Sequence, residues 1–217
     1  MSAPDVTRER IDEVALALLL ERGYEGTPLR LIAEAADVTT PALYWHFSSK
    51  GELCASAVVK EYERFSEAVG RALQPGPPDE QLRAYVRAFV NYQLQRRRAE
   101  MGMGFDDLAA SLPVEYRVRI TAIQRPLHDR LREILAEGVR QNLFSCSDPT
   151  VAAFAITTMC NYVFTWYKAG GRLSIDEVAE AYAQMAIRLA GSDAGAQQLT
   201  TVDDQGLAGD PARLRAG

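Results

Sequence analysis

Histidine and cysteine are scarce in this chain, cations are outnumbered by anions, and no long apolar run occurs. The 2 histidines, His46 and His128, stand far apart, and His128 is flanked by charge (His128-Asp129-Arg130). No Gly-x-Ser-x-Gly elbow and no phosphate-cradling glycine loop is present, so the enzyme reading finds no motif to rest on. The 3 cysteines, Cys54, Cys146 and Cys160, have neither disulfide nor zinc spacing. That predicts no metal and no cofactor, and it suits a reducing cytoplasm. None has a basic neighbour in sequence to activate a thiolate, so a redox sensor finds no support. Without about 18 consecutive apolar residues no membrane span is expected. The early charges Asp5, Arg8, Glu9 and Arg10 exclude a secretory signal. A net charge of −5 argues against non-specific nucleic-acid binding, which depends on neutralising phosphates. Any DNA contact must come from a local surface.

What is present is helical periodicity. Ile11, Val14, Ala15 and Leu18 follow the i, i+3, i+4, i+7 spacing, as do Leu29, Ile32, Ala33 and Ala36. A longer stripe, Val58, Tyr62, Phe65, Val69 and Leu73, runs to the breaker Gln74-Pro75-Gly76-Pro77-Pro78. Leu82, Tyr85, Val86 and Phe89 open a helix ending around Arg96-Arg97-Arg98, and Ile120 to Leu135 carry another. A run over 150–168 is apolar nearly all round and predicts burial on more than one side. Beyond Gly170-Gly171, Ser174 caps a last helix. No strand alternation is found, so the chain reads as all-α. Residues 191–217 are rich in glycine and small polar residues and predict a disordered tail.

The stretch TTPALYWHF, residues 39–47, carries the chemistry. The pairs Thr27-Pro28 and Thr40-Pro41 each predict a helix start, with threonine as N-cap and proline in the first turn. Between the two short helices lies Asp37-Val38-Thr39, with Asp37 expected in the left-handed region. That makes a helix-turn-helix whose second helix can enter a major groove. Leu43 and Phe47 face the core. Thr39, Thr40 and Ala42 offer methyl groups to thymine, Tyr44 and His46 can donate to phosphate or base, and Pro41 stands beside them. The amide end of the first helix, at Thr27, suits a phosphate. Arg30 and Lys50 are the nearby cations. Trp45 is either core or reading surface, and its spacing leaves both open.

Residues 7–53 resemble the DNA-binding domain of the tetracycline-repressor (TetR) family. The match runs through Glu21-Arg22-Gly23-Tyr24, Thr27, Ile32-Ala33-Glu34-Ala35-Ala36, Val38, Leu43-Tyr44, His46-Phe47, Lys50 and Glu52-Leu53, about a quarter of the chain. The resemblance implies that Thr27, Tyr44 and Lys50 hold phosphates while Thr39 to His46 face the groove. Two positions depart from the family pattern: Asp37 replaces its usual glycine, and Pro41 its usual small or basic residue. The resemblance further implies a helix-turn-helix domain over 1–50 and a helical ligand-binding and dimerisation domain over 51–190. The expected partners are double-stranded palindromic operator DNA, a second copy of the chain and a small apolar or amphipathic effector.

Phe89, Tyr92, Met103, Phe105, Phe154, Thr158, Tyr162 and Trp166 are the candidate effector contacts, within an aromatic and methionine-rich set that also fits an ordinary core. Arg96-Arg97-Arg98 reads as a solvated helix end or as a seat for an anionic head group. The segment WYKAGGRLSIDEVAEAY is similar to family members that respond to acyl-CoA thioesters, which places an acyl-CoA first among effectors. The reading is a cytoplasmic, ligand-responsive repressor without enzymatic activity. Its alternative is an activator, or a sensor with weak DNA binding.

Overall fold

The computed structural model describes residues 3–96 and 105–191, and every regular element among them is helical. The helices are α1 (Ala3–Arg22), α2 (Leu29–Ala36), α3 (Thr40–His46), α4 (Lys50–Ala72), α5 (Pro78–Arg96), α6 (Phe105–Ser111), α7 (Val114–Arg140), α8 (Pro149–Asn161) and α9 (Ile175–Leu189). A short 3-10 turn, Val163–Thr165, follows α8. The all-α expectation therefore holds. The tail beyond 191 and the residues Arg97, Arg98, Met101 and Met103 lie outside the described residues. None of the described helices is long and apolar enough to cross a membrane.

The first three helices fold around the apolar stripes seen in the sequence. Ile11, Ala15 and Leu19 of α1 meet Ile32, Ala33 and Ala36 of α2 and Leu43 of α3, all buried. Asp37 ends α2 with φ 58 and ψ 45, the left-handed conformation expected of it, and its N–H donates back to Glu34. α4 leaves this group and enters the second half of the molecule, burying Val58, Tyr62, Phe65 and Val69 along one face. Lys60 of α4 pairs with the buried carboxylate of Asp12 on α1.

In the second half α5 runs beside α9, and α7 packs on α4, α5 and α8. The two halves also touch directly. Tyr116 of α7 lies so close to α4 that a Cβ on Gly51 would stand 2.6 Å from its ring. Its hydroxyl is 3.2 Å from Ser49 Oγ. Glycine is the residue this approach allows.

Two features differ from the sequence reading. The apolar run over 150–168 is neither one helix nor buried all round. α8 stops at Asn161, and Val151, Phe154, Tyr162 and Trp166 are exposed while Ala153, Ile156 and Cys160 are buried. Apolarity on the outer face hid the amphipathic pattern. The second difference is α6, a short helix unmarked by periodicity, which places Asp106 and Asp107 in its first turn. Ser174 caps α9 as expected, in a reciprocal capping box with Glu177.

Candidate nucleic-acid interface and inner cavity

The turn into α3 is built by Thr39. Its side chain accepts from the Ala42 N–H at 3.3 Å, leaving Thr40 and Pro41 in the first turn, where proline's missing donor costs nothing. The cap is thus one residue earlier than Thr40. Leu43 and Phe47 are buried, as the four-residue spacing requires. The outer face presents Thr39 and Pro41 with Tyr44 at 56% and Trp45 at 88% exposure, and Ala42 and His46 are half-buried at its edge. Trp45 is therefore not core. So large an apolar side chain, left almost wholly in water, costs hydrophobic free energy unless a partner covers it.

Cations flank this face from other helices. Lys50 Nζ sits 4.3 Å from the centre of the Tyr24 ring, a cation–π contact that fixes the start of α4 beside the first-helix turn. Arg8 of α1 lies 4.7 Å from the Phe47 ring centre. Sequence reasoning missed Arg8 because its partner stands far along the chain. Arg30 is exposed on α2 and pairs with Glu34 one turn on, at 2.7 Å. A phosphate reached by Arg30 competes with that carboxylate.

Thr27 requires a correction. It is wholly buried, and its hydroxyl donates to the Gly23 carbonyl at 2.8 Å, with the Leu18 carbonyl at 3.2 Å. Its side chain does not cap α2, and its hydroxyl is engaged by carbonyls of its own chain. Pro28 is the N-cap, without any side-chain bond, so only backbone amides at the start of α2 remain for that task.

The second half holds two small adjoining voids, about 20 and 10 Å³, at the meeting of α4, α5, α6, α7 and α8. Tyr62, Phe65, Phe89 and Asn161 line both. Of the expected effector contacts, Phe89 and Tyr92 are on these walls, and Tyr92 donates to Glu61 at 2.9 Å. Phe154, Thr158, Tyr162 and Trp166 are not. All four are exposed; the inner face of α8 carries Thr157 and Asn161, and Thr158 and Tyr162, each the next position along, turn about 100° away. Phe154 is 60% exposed and lies against His128, Tyr162 donates to Asp107, and the Trp166 indole donates to the Tyr182 hydroxyl at 3.0 Å. Phe105 opens α6 beside the cavity residue Asp106, and Met103 lies outside the described residues.

Several wall residues escaped the sequence reading. Tyr62, Phe65 and Tyr85 counted only as helical stripes, and His128 as a solvated residue, yet all four line the larger void. Asp106 is an exposed carboxylate at its rim. It accepts from the Tyr62 hydroxyl at 2.5 Å, from Gln124 Nε2 at 2.9 Å and from Asn161 Nδ2. Burial first, and then the Asp106 charge, push the Tyr62 phenol well above its ordinary pKa, so it stays a donor. The thiols of Cys54 (pushed up to about 12) and Cys160 are likewise raised by burial, which keeps them unreactive.

Residues 75–190 match the family model of the tetracyclin repressor-like C-terminal domain, and residues 11–57 match that of the bacterial regulatory proteins, tetR family. The chain is 36% identical over 89 residues to the HTH-type transcriptional repressor KstR of Mycolicibacterium smegmatis, covering 41% of this chain and 44% of that protein. The match thus spans less than half of that relative's length. Identity to the repressor KstR2 of Rhodococcus jostii is 24% over 183 residues, 81% of this chain and 86% of the other. Among solved structures, AibR in complex with isovaleryl coenzyme A and operator DNA aligns with a TM-score of 0.73 at 29% identity, over 82% of this chain and 97% of that one. The C-terminal model alone takes in more than half the residues, and the helix-turn-helix precedes it in the expected place: the chain belongs to the TetR family of bacterial regulatory proteins.

Proposed function

We propose that the chain is a homodimeric transcriptional repressor that binds palindromic operator DNA and is released by a small apolar or amphipathic effector. One observation carries the reading: α3 turns Leu43 and Phe47 into the core and leaves Tyr44 and Trp45 in water, beside a Lys50 held on the Tyr24 ring. A helix of this shape fits a major groove, with phosphates on Lys50 and Tyr44 and base edges under Thr39 to His46, including Thr40, Pro41 and Ala42. Without arginine on α3, readout relies on methyl, hydroxyl and imidazole contacts.

The exposed apolar residues Val151, Phe154, Tyr162 and Trp166 around α8, with Met185 and Leu189 on α9, form the surface for the second copy. A two-fold pair there sets two α3 helices for successive major grooves. The effector acts between the cavity and α3. α4 carries Tyr62 and Phe65 on the cavity wall and Lys50 at the DNA end, and Tyr116 of α7 presses on its first turn. An effector that binds better when the cavity is opened shifts the population toward a separation of reading helices that no longer fits DNA. Voids of this size admit no more than water, so effector entry must part the aromatic walls. The AibR complex with isovaleryl coenzyme A makes acyl-CoA thioesters the first class to test.

The test is operator binding by fluorescence anisotropy with Tyr44→Phe combined with Lys50→Ala. Affinity should fall for every sequence, and the slope of log K against log salt should flatten by roughly one unit, as one fewer phosphate is neutralised. Unchanged affinity and slope would sink the assignment. An activator, or a sensor with weak DNA binding, is the alternative suggested by the net charge of −5. Tight, effector-sensitive binding to the chain's own upstream DNA separates the sensor from a regulator, and in vitro transcription from that promoter separates repressor from activator.

A further inference from the structure

The cavity contains a hydrogen-bonded relay whose direction is fixed at one end. Asp106 is a carboxylate and can only accept, so Asn161 must turn its Nδ2 toward it. Asn161 Oδ1 then faces Gln93, which meets it with Nε2 at 3.3 Å. Gln93 Oε1 is left over. It is buried, in a residue only 4% exposed, and accepts from none of the described residues. The Thr157 hydroxyl, on the inner face of α8, is also buried without a partner among the described residues, in a residue 8% exposed. The void lined by Gln93 and the void lined by Thr157 adjoin at Asn161. A buried acceptor without a partner carries an uncompensated desolvation cost, which a ligand able to satisfy it returns as binding.

From these observations we propose that the inner end of the effector site selects a neutral hydrogen-bond donor, a hydroxyl group on an apolar or aromatic body, and rejects a carboxylate there. Gln93 Oε1 is the atom that receives the ligand's proton, and the Thr157 hydroxyl can donate to the same ligand oxygen. The rings of Phe65 and Phe89, 4.5 Å apart, are the walls that part around the body. An anionic group at the same point would lie close to the Asp106 carboxylate and bring further lone pairs to Gln93 Oε1, which already lacks a donor. A ketone or ether, which only accepts, can take the Thr157 proton but leaves Gln93 Oε1 unsatisfied. The proposal rests on the effector reading above and adds the chemistry of the effector's inner end, whatever group its outer end carries.

Three probes of one skeleton separate these cases: 2-naphthol (donor), 2-methoxynaphthalene (acceptor only) and 2-naphthoate (anion). Binding to the full chain is measured by thermal shift and calorimetry, and operator release by anisotropy. The naphthol should bind at least about tenfold tighter than either of the others, since a site built around a hydroxyl penalises analogues that lack it. Thr157→Val, which preserves volume, combined with Gln93→Leu should bring naphthol and methoxynaphthalene to within about twofold of each other, while Thr157→Ser keeps the preference. Circular dichroism and operator affinity of each variant establish that it folds. Equal binding of naphthoate, a preference that survives the double variant, or no binding of any probe overturns the proposal. Naphthol binding with the stated preference but without operator release leaves the donor selection standing and sinks the effector reading. Release by an acyl-CoA with no discrimination among the probes does the reverse.

Discussion

Lys50 Nζ stands 4.3 Å from the centre of the Tyr24 ring, which ties the first residue of α4 to the turn after α1. The ammonium is held at one place by an aromatic face while its outer side stays open to a phosphate. A cation–π contact at such a site contributes about 0.5–1 kcal/mol. Tyr24→Phe keeps the ring and should leave operator affinity unchanged. Tyr24→Leu removes it and should weaken binding by about two- to fivefold on every sequence, with the salt slope intact. Anisotropy titrations at three salt concentrations check this, and equal affinity of the two variants would show that the ring does not preorganise Lys50.

Thr27 gives the opposite kind of prediction, a residue with a structural rather than a DNA-binding role. Its hydroxyl bonds the carbonyls that end α1. Thr27→Val keeps the shape and leaves those carbonyls short of a donor in a buried place, at a cost of about 1–3 kcal/mol. Thermal and urea unfolding should register the loss, and Thr27→Ser should restore most of it. Operator affinity of the folded protein and its salt slope should stay as in the parent. A flattened slope in Thr27→Val would mean that the side chain meets a phosphate after all.

These two residues also mark what the sequence could tell. The αL turn at Asp37, the inward pair Leu43 and Phe47, and the Ser174 cap are local: each depends on neighbours within four residues, so spacing and residue type reveal them. Thr39 and Thr40 are both good caps, and only the backbone decides between them. Arg8 acts on a ring placed by tertiary packing, and the Thr27 hydroxyl turns back to Gly23 and Leu18 because the backbone between α1 and α2 folds there, which residue type does not report. On α8 the outer face is as apolar as the inner one, so the pattern could not say which side faces the cavity. Thr158 and Tyr162, named as ligand contacts, stand one position away from the wall residues Thr157 and Asn161.

Glu52 links the reading helix to acid stability. Its carboxylate accepts from the Ser48 hydroxyl at 2.5 Å and the Ser48 N–H at 2.7 Å, which hold its pKa below the usual glutamate value. A folded-state pKa below the unfolded one contributes stability above the unfolded value, and that contribution disappears as pH falls through the folded one. The melting temperature of the parent should therefore exceed that of Glu52→Gln at neutral pH. The gap should close as pH drops below the glutamate range. A gap independent of pH would mean that the ionised carboxylate is not what holds the turn before α4.

The exposed face of α8 and α9 makes the oligomer testable with one charge. In a two-fold interface the same patch comes from both copies, so a substitution near the axis faces itself. Phe154 is 60% exposed and apolar, flanked by Val151 and Tyr162, and Met185 and Leu189 extend the patch from α9. Phe154→Glu should place two carboxylates against each other in an apolar setting and convert the dimer to monomer, read by light scattering after size exclusion. Phe154 lies outside the cavity and far from α3 in sequence, so the monomer should still fold and should bind a half-site as the parent does. Its affinity for the full palindrome should drop toward that half-site value, because the second helix is no longer delivered by the first. A variant that remains dimeric and keeps full palindrome affinity would place the two-fold contact on another face.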